Sequence, residues 1–236
     1  MIVSTRGGND KNACYEGWLT INTCFELLMF AIVAVCIVLA PVFSGEYQAG
    51  TDAVILSGKY GKTKLTTAKI MASYLFGLLA FTIHILVAFG LPLAAFGVDG
   101  WNLPMQIAGT SIPYPFTFLQ GILVNLGVIY FVLFAMIGLT LLLSSKMRSP
   151  YLVLIVLVPV LFIPMFLSAN GTTGAYNLTL FLLPYYAVQP QFGSYISYQL
   201  GSLVLDAFST RTILYAVLTV CMLPLAKLGF KKHQVL

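Results

Sequence analysis

Five stretches of this chain stay apolar for long enough to cross a bilayer, and that length constrains the fold more than any other feature. A helix needs about 20 apolar residues to traverse the hydrocarbon. By that measure the spans fall at about 25–44, which contains the run AIVAVCIVLA, and at about 70–97, 116–143, 151–168 and 212–230. The runs are continuously apolar rather than alternating, which disfavours a barrel, and an open strand could not satisfy its backbone in lipid. The expected fold is an all-α polytopic membrane protein, a single transmembrane domain over 1–236 with about five transmembrane helices. Charge agrees: only 8% of the 236 residues are charged, against roughly 25% in soluble domains.

The cations set the orientation. The connections 45–69 and 144–150 and the tail 227–236 hold Lys59, Lys62, Lys64, Lys69, Lys146, Arg148, Lys227, Lys231 and Lys232. The opposite segments 1–23, 98–115 and 169–211 hold only Arg6, Lys11 and Arg211. Positive loops face the cytoplasm, so the expectation is a multi-pass protein of the cell membrane with a cytoplasmic 45–69 loop and C-terminus. Residues 1–23 and 169–211 then lie outside. The formal charge of +5 belongs to this orientation rather than to a nucleic-acid surface. Residues 1–23 are polar and lack the apolar run and cleavage site of a signal peptide.

The external segment 169–211 contains the clusters LTLFLLPYYAV and SYISYQLGSLVLDAF, broken by Pro184, Pro190 and Gly193. Each is short for a span, which suggests re-entrant or interfacial external helices. Tyr185, Tyr186, Tyr195 and Tyr198 suit the headgroup level, where a ring is half apolar and half wet. Pro159, Pro164 and Pro224 are expected to kink their helices. Cys14, Cys24, Cys36 and Cys221 form no CxxC pair and have no histidine at ligand spacing, so no metal or disulfide framework is expected. Asn170-Gly171-Thr172 and Asn177-Leu178-Thr179 have the form of glycosylation acceptors.

The longest polar run between spans is Phe43–Lys69, FSGEYQAGTDAVILSGKYGKTKLTTAK. Its Gly61-Lys62-Thr63 imitates a phosphate-binding loop, but that motif needs a glycine five positions before the Gly-Lys pair and a strand leading in. Leu56 occupies the earlier position. No cofactor is expected, and any ATP would be bound by a partner. No carboxylate pair, nucleophile–base pair or HExxH pattern marks an enzyme. Gly45 to Ser57 could form a short surface helix with Thr51 or Asp52 as a cap.

The pattern Phe43-x-x-Glu46-x-x-x-Gly50-Thr51, followed by Leu56-Ser57, Lys62 and the Ala68-Lys69 pair opening the next span, resembles the type-2 ABC transporter permeases. It is most similar to the small bacterial antibiotic- and lantibiotic-exporter group. The resemblance covers roughly residues 40–75 in detail; elsewhere it rests on span order, the large external segment and the basic tail. It implies a type-2 ABC exporter-like bundle that works as a homodimer or paired permease in membrane lipid, moves an amphipathic cargo, and binds a separate ABC ATPase subunit. Glu46, Gly50 and Thr51 would start the coupling helix, and Lys62 and Lys69 would take the basic positions at its end. Against the family's six spans, the chain would lack the first helix.

Polar groups deep in spans are costly and often functional. His84 in the second span and Asn125 in the third are the candidates for a substrate path, with Gln120 close by. A neutral histidine bonded across helices is the simpler role for His84. A secondary transporter and a non-transporting scaffold or sensor remain the alternatives to an exporter.

Overall fold

The computed structural model describes residues 9–51, 64–109 and 112–231. Four helical stretches are long and apolar enough to cross a membrane: Glu16–Gln48, Thr66–Phe96, Phe118–Lys146 and Ala207–Gly229. The elements are α1 (Asn9–Leu39), α2 (Pro41–Gln48), α3 (Thr66–Phe96), α4 (Phe118–Lys146), α5 (Pro150–Phe162), α6 (Ala175–Leu182), α7 (Pro184–Val188), β1 (Ser197–Leu200), β2 (Leu203–Asp206) and α8 (Ala207–Lys231).

Helix α1 starts well before the expected residue 25. Ile21, Phe25, Leu28, Ile32, Cys36 and Leu39 recur at helical spacing and are all buried. That stripe carries the helix back into the polar N-terminal segment. Helix α4 is the other central rod, buried along more than half of its most apolar window. Helix α3 buries only Thr66, Ile70, Ser73, Gly77, Phe81, Ile85 and Phe89, a single narrow stripe. The remaining faces of α3 and α8 are apolar and open, as lipid-facing helices are. Close approach depends on small residues: a Cβ at Gly138 on α4 would lie 2.9 Å from both Met222 Cβ and Tyr74 Oη.

The expected fourth span is the element that falls short. Helix α5 has 13 residues and gives way to a 3-10 turn over Ile163–Phe166. Pro159 and Pro164 withhold two backbone donors there, so regular α-helix cannot continue. The apolar stretch Pro150–Phe166 is therefore shorter than the four full-length helices.

The fold is also not wholly helical. Strands β1 and β2 form an antiparallel hairpin with Tyr198 opposite Leu205. Its turn is Gly201-Ser202; Gly201 has φ 65° while Ser202, like every other non-glycine among the described residues, does not have positive φ, the signature of a type II′ turn. Ile196 and Tyr198 are buried whereas Ser197 and Gln199 are exposed. This alternation with period two is what a half-buried strand requires. Asp206 then caps α8: Ser209 N–H donates to its carboxylate at 3.4 Å. The helix consequently begins at Ala207 rather than near 212.

Helix direction defines two ends. The end of α1 with α2, the start of α3 and the ends of α4 and α8 meet at one, here the elbow end. The opposite, cap end holds the start of α1, the loop after α3, α6, the hairpin and the start of α8. There the Trp18 indole donates to Asp99 O at 2.8 Å.

Candidate functional site

The elbow is built around a broken helix. Pro41 interrupts the α1–α2 run and withholds one backbone donor. Just beyond it the amides of Phe43 and Ser44 both donate to the Ser144 hydroxyl oxygen, each at 3.0 Å, and that hydroxyl donates to Ala40 O at 2.6 Å. Freed backbone groups at membrane depth must be re-satisfied in this way. Ser44 and Ser144 are fully buried, and the Tyr47 hydroxyl adds a bond to Ser145 O at 3.0 Å. The elbow is thus tied rigidly to the end of α4.

Glu46 on α2 forms an ion pair with Lys69 on α3. Lys69 also donates to Val42 O at 3.4 Å and lies 5.7 Å from the centre of the Phe43 ring. The pair therefore clamps the two ends of the 46–69 segment. Gly50 and Thr51 close α2; the segment they were expected to open lies outside the described residues. Gly50 N–H donates to Tyr47 O at 3.2 Å and Thr51 N–H to Glu46 O at 3.1 Å, the double bond of a Schellman motif. Its left-handed residue is Gly50, with φ 66°. Lys62 and the remainder of the proposed surface helix lie outside the described residues. Beside the elbow, Lys64, Thr67, Ala68, Met71 and Lys227 line an open groove of about 390 Å³ between the start of α3 and the end of α8.

The two candidates for a substrate path do not share a cavity. His84 is exposed and lines a shallow groove of about 160 Å³ with Ala31, Ala34, Val35, Val38, Phe76, Ala80 and Phe81. Asn125 is fully buried and its amide donates to Val188 O at 3.2 Å, tying α4 to α7. Gln120 has a structural task. Its side chain accepts from Thr117 N–H at 3.1 Å while its own N–H donates to Thr117 Oγ1 at 3.3 Å, a capping box that opens α4.

No family model, curated protein or solved structure matches this chain. Among the described residues no group of three His, Cys, Asp or Glu could hold a metal ion.

Sequence reasoning overlooked Arg211, treating it as a loop cation. It is 0% exposed. Its Nε donates to Phe181 O at 3.0 Å, the Tyr215 hydroxyl to Leu182 O at 2.7 Å and the Tyr198 hydroxyl to Leu178 O at 2.9 Å. Three side chains thus meet the last turn of α6, where free carbonyls and the negative end of the helix dipole favour a cation. The readable signal was spacing: Phe208, Arg211 and Tyr215 fall at i, i+3 and i+7, the buried face of α8. Burial pushes the nearby Tyr114 hydroxyl up to about 12, with Asp206 and Tyr195 adding to the rise and Arg211 opposing it. Tyr114 remains a protonated donor at neutral pH.

Proposed function

We propose that this chain is the membrane-spanning permease subunit of an ATP-driven ABC exporter, a multi-pass protein of the cell membrane with its elbow end and C-terminus in the cytoplasm. It does no chemistry itself. A separate ATPase subunit binds and hydrolyses ATP, seats on the 46–69 segment, and drives a dimer of permeases between inward- and outward-open states. The cargo is amphipathic: a peptide antibiotic, a drug or a lipid.

The observation that supports this reading best is the clamped elbow. A segment gripped by a motor must transmit displacement to the spans rather than absorb it. The Glu46–Lys69 pair joins its two ends, and Ser144 and Ser145 fasten α2 to the central rod α4. A push on this segment therefore reaches α1, α3 and α4 together. Lys64 and Lys227 give the same end a basic groove, suited to anionic lipid or to acidic groups of a partner.

A proton-coupled secondary transporter would need a deep titratable group facing a pathway. His84 faces an outward groove instead, which favours the ATP-driven reading. The test is Glu46→Ala in membranes that also contain the ATPase. ATP hydrolysis and membrane insertion should persist while transport is lost; transport at the wild-type rate would remove Glu46 from the coupling path. Transport driven by a proton gradient alone, with no ATPase present, would replace the proposal with a secondary transporter.

A further inference from the structure

At the cap end three buried donor atoms have no hydrogen-bond partner. Arg211 is fully buried, and once its Nε has bonded to Phe181 O, both terminal guanidinium nitrogens are buried without a hydrogen-bond partner. The Tyr114 hydroxyl is likewise buried and unpartnered. The two residues are neighbours: the Tyr114 ring packs edge-on against Phe208 at 5.3 Å, and Phe208 lies three positions before Arg211 on the same face of α8. Each of the three atoms can donate, and two belong to a permanent cation. The nearest acid, Asp206, makes no ion pair with Arg211 within 4 Å, and its Oδ1 instead accepts from Ser209 N–H. The carbonyl end of α6 and the charge of Asp206 offset part of the guanidinium's charge, but a buried donor left without an acceptor still carries its full desolvation penalty.

We propose that Arg211 and Tyr114 form a binding site for an oxyanion, a carboxylate or phosphate group held by two guanidinium N–H groups with the tyrosine hydroxyl as a third donor. Three surplus donors, brought near one another by the Tyr114–Phe208 contact, match the acceptors of a single such group. The guanidinium nitrogens are sealed from solvent here, so the anion enters as the Tyr114 ring leaves Phe208. The contacts that release are those of Tyr114 to Phe208 and to Tyr195, the latter at 5.9 Å. Binding is therefore coupled to opening of the cap, and its apparent affinity is reduced by the fraction of time the cap is closed. The inference is independent of the exporter reading, since it uses only residues at the opposite end.

The test is thermal unfolding of the full chain in neutral detergent, with acetate or inorganic phosphate titrated against chloride at constant ionic strength. A parallel arm uses nanodiscs of phosphatidylcholine with and without phosphatidylglycerol. The unfolding midpoint should rise saturably with a free oxyanion; a rise with phosphatidylglycerol alone identifies a lipid headgroup as the source of the same group. Arg211→Gln should abolish the response. Tyr114→Phe, which keeps the ring, should raise the half-saturating concentration about tenfold, equivalent to about 1.4 kcal/mol. No response in either arm would overturn the proposal, as would a response that survives Arg211→Gln. Should Arg211→Gln fail to fold, an unchanged half-saturation in Tyr114→Phe overturns it alone.

Discussion

Replacing Lys69 with methionine strands the Glu46 carboxylate at the elbow, and the cost can be bracketed from its surroundings. The side chains are 23% exposed for Lys69 and 17% for Glu46, so the pair lies nearer to the buried than to the surface regime. Exposed pairs contribute about 0.2–1 kcal/mol, whereas removing one member of a buried pair costs about 3–5 kcal/mol. One Glu46 oxygen, Oε2, is buried with no partner, so the carboxylate depends on Lys69 for most of its compensation. Lys69 has further contacts with Val42 O and the Phe43 ring. Each single change, Lys69→Met or Glu46→Gln, should therefore destabilise the fold by about 2 kcal/mol, with Lys69→Met the worse. The double change should cost less than the sum by about 1–2 kcal/mol, because no stranded charge remains. Denaturant or thermal unfolding of the four proteins in mild detergent measures this cycle. Effects that add to within about 0.5 kcal/mol would refute a clamp between α2 and α3.

Three other substitutions test the packing that holds the elbow and spans. Gly50→Ala meets no atom of the described residues within 4 Å, so it reports backbone strain: about 1–2 kcal/mol at φ 66° by unfolding, with Gly50→Asn milder. Ser144→Ala removes the hydroxyl that accepts from the amides of Phe43 and Ser44 and should cost about 1–3 kcal/mol, with faster hydrogen exchange confined to residues 43–47 as the local signature. Gly138→Ala drives a methyl against Met222 and Tyr74 and should lower stability by about 1–3 kcal/mol; an unchanged unfolding midpoint would mean that α4 and α8 are less closely packed.

The long spans were legible because a bilayer imposes a length and α1, α3, α4 and α8 each satisfy it. The start of α1 was not, since the polar residues around Glu16 hid the buried stripe that begins at Trp18 and Ile21. The hairpin was read as interfacial helix for a similar reason. Its alternation covers only Ile196 to Gln199, and aromatic-rich clusters of that length suit either structure at the headgroup level. Gln120 carried its answer in the spacing Thr117-x-x-Gln120, but hydropathy placed it inside a span and made it look intramembrane. The resemblance gave Gly50 to the start of a helix, and the bonds of Gly50 and Thr51 back to α2, which close that helix, had no signal in the spacing. The Glu46–Lys69 pairing could not be read from sequence, because both residues had been assigned to one surface. Arg211 was the largest omission: a cation at the start of a span ordinarily faces water, and only its register with Phe208 and Tyr215 turns it inward.

A photo-crosslinking residue at position 62, introduced into the full chain in its native membrane and followed by mass spectrometry of the adduct, tests the elbow as a motor seat most directly. The expected adduct is a nucleotide-binding ATPase subunit on the cytoplasmic side. Adducts only with lipid, or with proteins on the opposite face of the membrane, would contradict it.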